Sequence, residues 1–203
     1  PKAAFSFEDV FRALATHEKK EVRSTAAWVL GQGERSGAFH TLLQSLALDG
    51  EPLVRYNAAL GLAAYGDAGA RPLLRAMLAP YEVLSPVDGV IRDSVGPGQP
   101  LAVGTALAVL HAENGQETRI PSPLGGKLRG SSPKEGDFVK AGASLALISP
   151  SIDQVWEALR GLVLVGNLED LAAIEDIRAH LEDFPEKVLK QADLAAEAVR
   201  ARG

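Results

Sequence analysis

Apolar positions follow two different periods along the chain. From Phe7 to Leu78 they recur every three or four residues, as in Val22, Ala26, Ala27 and Leu30 and again in Val54, Ala58, Ala59 and Leu62. That spacing places one apolar stripe on each of several helices. It returns after residue 150 in Val155, Ala158 and Leu162, then Leu171, Ile174 and Ile177. Between these stretches the pattern changes to short runs: Gly89-Val90-Ile91-Arg92, Thr105 to Leu110 and Ser144 to Ile148. Pro-Gly-Gln-Pro, Asn-Gly and Lys-Glu-Gly-Asp separate these runs, which is the signature of strands joined by turns. Residues 81–149 are about a third of the chain yet hold 10 of its 20 glycines and 6 of its 12 prolines. A small all-β domain between helical flanks is the expectation.

The helical flank repeats. A shift of 32 residues superposes Val22-Arg23 on Val54-Arg55, Ala26-Ala27 on Ala58-Ala59, Leu30 on Leu62, Gly37-Ala38 on Gly69-Ala70, Leu42 on Leu74 and Leu46 on Leu78. Alanines at one seam let neighbouring helices approach closely, and leucines fill the interface, as in an array of stacked helical hairpins. Leu14, 32 residues before Leu46, marks the tail of an earlier unit. Val54 and Val155 are 101 residues apart, and removing the 69 of the β block restores the period of 32. The expected domains are therefore 1–80 (helical repeats), 81–149 (an inserted β domain) and 150–203 (helices continuing the array). Ser6 with Asp9, Ser151 with Gln154 and Asp183 with Glu186 stand at capping-box spacing. Pro185 is expected in the first turn of the last helix, and Pro52 at the start of the helix after Asp49-Gly50.

The β block repeats as well. Ser85-Pro86, Gly89 and Arg92 match Ser122-Pro123, Gly126 and Arg129 at an offset of 37. Gly98, Gly104, Leu107 and Ala108 match Gly136, Gly142, Leu145 and Ala146 at an offset of 38. Two half-motifs related by a pseudo-twofold are implied.

On these motifs the flanks resemble HEAT-like repeats of the short bacterial, phycobilisome-lyase type. The block resembles the biotinyl/lipoyl-like barrel-sandwich hybrid. The resemblance implies a multi-domain α and β chain: an α-solenoid of HEAT-like hairpins with an inserted barrel-sandwich hybrid. In biotinyl and lipoyl domains the modified lysine sits on the hairpin between the halves. The corresponding stretch here, His111 to Ile120, holds the turn pair Asn114 and Gly115 but no lysine. Lys127, Lys134 and Lys140 all fall in the second half and none matches the acceptor. The hairpin also lacks the long helical insert of membrane-fusion adaptors.

Composition narrows the chemistry. The chain has 203 residues, 46% of them hydrophobic, and a formal net charge of −5, which argues against a protein built to grip a phosphate backbone. With no cysteine there is no disulfide, thiolate metal site or cysteine nucleophile. The run Leu159 to Val165 is broken at Arg160, far short of the roughly eighteen apolar residues of a membrane span. No Gly-x-Ser-x-Gly elbow occurs, and Gly96-Pro97-Gly98 lacks the Gly-Lys-Ser/Thr ending of a phosphate loop. His17-Glu18 is a single pair with Asp49-Gly50 at the equivalent place in the next repeat, so it reads as a solvated turn; His40, His111 and His180 are isolated. Trp28 aligns with Leu60 and reads as core, while Arg71, Arg75, Arg92, Arg119 and Arg129 read as a solvated face opposite the acidic last 40 residues.

The expectation is a non-catalytic interaction or scaffold module of bacterial type. It would have protein partners, no nucleic acid, no membrane span, and no catalytic, metal or cofactor-binding residue. Two alternatives stand beside it: a biotin- or lipoate-carrier relative, and a HEAT-like lyase or chaperone for a cofactor. The chain begins at Pro1 without an initiator methionine, which leaves localisation open, the cytoplasm being favoured slightly over export.

Overall fold

The computed structural model describes residues 6–113, 115–130, 133–180 and 183–203. A helical N-terminal part is followed by a β-rich part with two antiparallel sheets. The chain divides into two compact units: residues 1–78 together with 153–203, and residues 79–152.

The helical unit contains α1 (Phe7–Ala15), α2 (Lys20–Gln32), α3 (Gly37–Leu46), α4 (Pro52–Ala64), α5 (Arg71–Leu78), α6 (Ile152–Val165, entering at its second residue), α7 (Leu171–Ala179) and α8 (Glu186–Arg202). Short polar side chains start several of them. Ser6 accepts from the Asp9 N–H at 3.1 Å while Asp9 accepts from the Ser6 N–H, a complete capping box. Ser36 caps α3 through Phe39, and Pro52 occupies the first turn of α4, where a missing N–H costs nothing. The last helix departs from expectation. Pro185 is its N-cap residue, with no side-chain cap bond, so Asp183 and Glu186 form no capping box there. Proline fixes the backbone at that junction without help from a side chain.

α2 and α4 pack in parallel, their starts joined by Lys20 and Glu51 at 3.2 Å and their middles by Asn57, whose amide donates to the Ser24 hydroxyl at 3.0 Å. Ala26, Ala27, Ala58 and Ala59 are buried, as the repeat required. Closer still is a glycine seam: a β-carbon on Gly31 would lie 2.7 Å from the Gly61 α-carbon. The equivalent contact one repeat on pairs Ala63 with Gly161, where a β-carbon would find the Ala63 methyl at 3.5 Å. Leucines cover both seams, Leu43 over Gly61 and Leu74 over Gly161. The structural match is therefore Leu43 to Leu74, a step of 31, whereas the sequence identity aligns Leu42, which is only half-buried. The linker is one residue shorter in the second repeat: residues 33–35 separate α2 from the N-cap Ser36, but only Tyr65 and Gly66 separate α4 from the N-cap Asp67 of the 3₁₀ turn that opens α5, which shifts the register by one.

The β unit has eight strands: β1 (Tyr81–Leu84), β2 (Gly89–Ser94), β3 (Pro100–Leu101), β4 (Ala106–His111), β5 (Glu117–Pro121), β6 (Gly126–Arg129), β7 (Phe138–Val139) and β8 (Ser144–Pro150). They form sheets of order β1-β8-β6-β3 and β5-β4-β2-β7. Exchanging β1 with β5, β2 with β6, β3 with β7 and β4 with β8 turns one order into the other. The sequence halves thus correspond to interlocked structural halves.

The interlock is visible in its hydrogen bonds. Gly104 N–H donates to the Ser122 carbonyl at 2.8 Å, and Gly142 N–H donates to the Ser85 carbonyl at 2.7 Å. Both serine hydroxyls are buried and donate at 2.6 Å to the carbonyl two residues on, Val87 or Leu124. Gly104 and Gly142 lie in the left-handed region at φ +84° and +83°, which glycine adopts without a side-chain penalty. Ile91, Leu110 and Ile148 fill the core, each stabilising by about 1.5–3 kcal/mol through burial. The unit's ends are neighbours, because β1 and β8 pair antiparallel with Tyr81 opposite Ile148.

Candidate functional site

The hairpin between β4 and β5 holds the stretch where the resemblance to biotinyl and lipoyl domains would place a carrier lysine. It is closed by Ala112 N–H donating to the Gln116 carbonyl at 3.0 Å and Gly115 N–H donating to the Ala112 carbonyl at 2.9 Å. Gly115 sits at φ +79°, as a tight turn requires; Asn114 lies outside the described residues. At the base, His111 Nε2 stands 3.2 Å from the Glu117 carboxylate. The segment 112–116 contains no primary amine, so it offers no atom to form an amide with a carboxylate cofactor. Lys127 is exposed on β6 and Lys140 is exposed after β7, both away from this turn in sequence and pairing. Under the exchange of halves, the hairpin's counterpart is the pair of chain ends at β8 and β1.

Several ionised side chains of the helical unit pair with one another. Arg23 grips Asp49 through two nitrogens, at 2.6 and 3.0 Å, and its remaining nitrogen donates to the His17 and Glu18 carbonyls at 2.8 and 2.9 Å. Arg55, one repeat later, treats the Asp49 and Gly50 carbonyls in the same way. The Val-Arg repeat is thus a turn clamp, and His17-Glu18 lies in the turn it clamps. His17 Nδ1 accepts from the Lys19 N–H at 3.0 Å.

Asp67 gathers a second cluster. Its carboxylate accepts from the Gly69 N–H at 2.8 Å, stands 2.8 Å from His40 Nε2 and accepts from the Gln44 amide at 3.1 Å. His40 stacks on Tyr65 with centroids 5.2 Å apart.

A third cluster joins α5 to the segment before α7. Asp170 is fully buried and faces Arg71 Nε at 2.9 Å and Arg75 Nη1 at 3.1 Å. Arg71 also donates to Asn167 Oδ1 and meets Glu169, each at 2.5 Å. Asn167 and Asp170 make a reciprocal capping box around Leu168–Asp170. Arg71, expected on a solvated face, is largely buried in this cluster.

The ion pairs make stability pH-dependent. The Arg23 guanidinium, bonded to Asp49, holds that carboxyl below its ordinary value, and the Gly69 N–H followed by His40 does the same for Asp67. A depressed folded-state value adds stability that is complete above the unfolded carboxylate value near 3.9 and disappears as pH falls through the folded value. Asp49→Asn is expected to cost about 1.5–3 kcal/mol at pH 7 and to flatten the loss of stability below pH 4. Urea midpoints of both proteins at pH 7, 4 and 2.5 check this; parallel curves would contradict it.

Trp28 is not core. It is 55% exposed on α2, while its repeat equivalent Leu60 is half-buried on α4. Trp156 is half-buried with the Arg160 guanidinium 4.8 Å from its ring centroid. Two features are not legible in the sequence. A buried aspartate looks like any helix-start acid in sequence. The glycines at 31, 61 and 161 do not share one repeat offset, which hides their common role.

Among the described residues no group of three or more His, Asp or Glu side chains is arranged to hold a metal ion, and no helix is long and apolar enough to cross a membrane. Residues 8–84 match the sequence profile of HEAT repeats. No curated protein matches the chain.

Proposed function

We propose that this chain is a non-catalytic protein-interaction scaffold, in which a HEAT-type helical array carries a barrel-sandwich hybrid of the biotinyl/lipoyl-like kind between its hairpins. The observation that carries the reading is the match of residues 8–84 to HEAT repeats on helices that stack with repeated seams. Such arrays expose extended helical faces suited to polypeptide partners. Two of the chain's polar pairs, Arg23 with Asp49 and Arg71 with Asp170, are consumed in holding the repeats together. Support for the array continuing past the β unit comes from Gln154 of α6, whose amide donates to the Met77 carbonyl of α5 at 2.8 Å. The interchangeable halves of the two sheets and the adjacent ends of β1 and β8 favour the barrel-sandwich type and its carriage within another fold.

A carrier relative is the reading that most needs separating, since it shares this β architecture. Co-expression with active biotin and lipoate ligases is expected to leave the intact mass unchanged. Photo-crosslinking residues placed at exposed positions of the helical unit, such as Leu48 in the turn after α3, are expected to trap a defined polypeptide in the source cells. A cofactor-sized mass increase on a lysine, or a purified protein with turnover and no crosslinked polypeptide, overturns the proposal.

A further inference from the structure

Among the described residues four strands end the two sheets: β1 and β3 in one, β5 and β7 in the other. β3 and β7 are two residues long, too short to carry a further strand. β1 shows Glu82 and Leu84 to solvent and so carries a single sign of charge. β5 differs. Its exposed side chains include Glu117 and Arg119, opposite charges two residues apart on one face of the sheet. Glu117 meets His111 through Oε1 at 3.2 Å, and its second oxygen is a further acceptor. Arg119 has no ion-pair partner among the described residues. The pairing with β4 fixes which backbone groups of β5 point out. Ala112 N–H donates to the Gln116 carbonyl, and from that bonded pair the register runs His111 opposite Glu117, Leu110 opposite Thr118 and Val109 opposite Arg119. Antiparallel pairs alternate between bonded and unbonded, so Thr118 turns its N–H and C=O to β4 while Glu117 and Arg119 turn theirs to the open edge. Pro121 shares that outward parity, where a missing N–H costs the ladder nothing.

We infer that β5 pairs antiparallel with β5 of a second copy of this chain, the twofold axis passing between their Thr118 residues. In that register Glu117 of each copy lies opposite Arg119 of the other. The outward N–H and C=O groups of both residues supply the hydrogen bonds, and two ion pairs form beside them on the same face. Identical strands in antiparallel order set each of two positions against the other, so opposite signs attract twice and no charge meets its like. An edge of one sign repels its own copy, whereas this one selects it. The paired stretch is short, and its area is that of a weak, transient interface.

The test follows the full chain by sedimentation equilibrium between about 10 µM and 1 mM at low salt, the range a small interface requires. The weight-average mass is expected to rise from 21.4 kDa toward twice that value, and to rise less at high salt. Glu117→Arg and Arg119→Glu each set like charges together and are expected to weaken association about tenfold or more. The chain with both changes, and an equal mixture of the two single variants, restore the opposite pairs. Both are expected to return to within about threefold of the wild type. Arg119→Pro is expected to abolish association, because it deletes an outward N–H and leaves the bonds to β4 in place. A mass fixed at the monomer throughout, or association equal in all the charge variants, overturns the inference. So does failure of both the doubly changed chain and the mixture to recover. Species that grow beyond the dimer overturn it too, since they assign β5 to Glu82 and β1 of the next copy in a head-to-tail chain. None of these outcomes bears on the scaffold reading, which rests on the helical unit.

Discussion

Asp170→Ala is expected to lower the unfolding midpoint of the helical unit by about 10–15 °C. The carboxylate is completely buried, and removing it strands Arg71 in a largely buried position and Arg75 in one about a third exposed. Breaking a buried charge pair from one side costs about 3–5 kcal/mol, and the water that reaches Arg75 places this case near the lower end. The capping bond to the Asn167 N–H is lost as well. For a cooperative unit of about 130 residues, 3–4 kcal/mol corresponds to that shift in midpoint. Both tryptophans, Trp28 and Trp156, belong to the helical unit, so tryptophan fluorescence follows its melting apart from the β unit. Asp170→Asn keeps an acceptor for the cap and should lose less. Arg71→Ala combined with Asp170→Ala should lose less than the two separate losses added, because neither partner is then left alone. A melt within 3 °C of the wild type for Asp170→Ala would show that the cluster does not hold the seam.

Gly126→Ala is the second large effect and falls on the β unit alone. A β-carbon there would lie 2.1 Å from the Ser149 carbonyl oxygen and 2.9 Å from the Ile148 side chain. The first obstacle is backbone in the central pairing of β6 with β8, so no rotamer change relieves it. The strands must separate, at about 3 kcal/mol, the upper range for an overpacked core. In a unit of this size that lowers the midpoint by about 12–24 °C. Calorimetry should show the β-unit transition falling while the tryptophan melt stays in place. Gly89→Ala, the equivalent change in the other half, meets the His111 carbonyl at 2.9 Å and should cost less. Gly96→Ala, with open space around it and no positive φ, should cost almost nothing. Equal melting of the Gly126 and Gly96 variants would overturn the packing argument.

Much of this architecture was written in single residues. The step of 32 identified Arg23 and Arg55 as one repeated device, and the structure shows them clamping equivalent turns. Ser85 with Ser122, and Gly104 with Gly142, marked two halves whose hydrogen bonds cross from one to the other. The missing amine of the hairpin is likewise a matter of sequence, since no folding can supply a lysine that the turn lacks. Less legible were properties that depend on neighbours. Trp28 and Leu60 are equivalent by sequence but differ in exposure, because the neighbour, not the side chain, determines burial. Leu42 carried the identity while Leu43 carries the packing.

By itself the sequence determined the periods, the two element types, the paired halves of the β block and the absence of a carrier amine, all of which follow from local spacing and residue identity. Only the tertiary structure decided that Asp170 is buried between two arginines nearly a hundred residues away, that glycines at unequal offsets form one seam, and that one tryptophan faces out. Those outcomes depend on distances between residues far apart in the chain. Periodicity fixes the face on which a side chain lies, but the packing partner decides what that face meets.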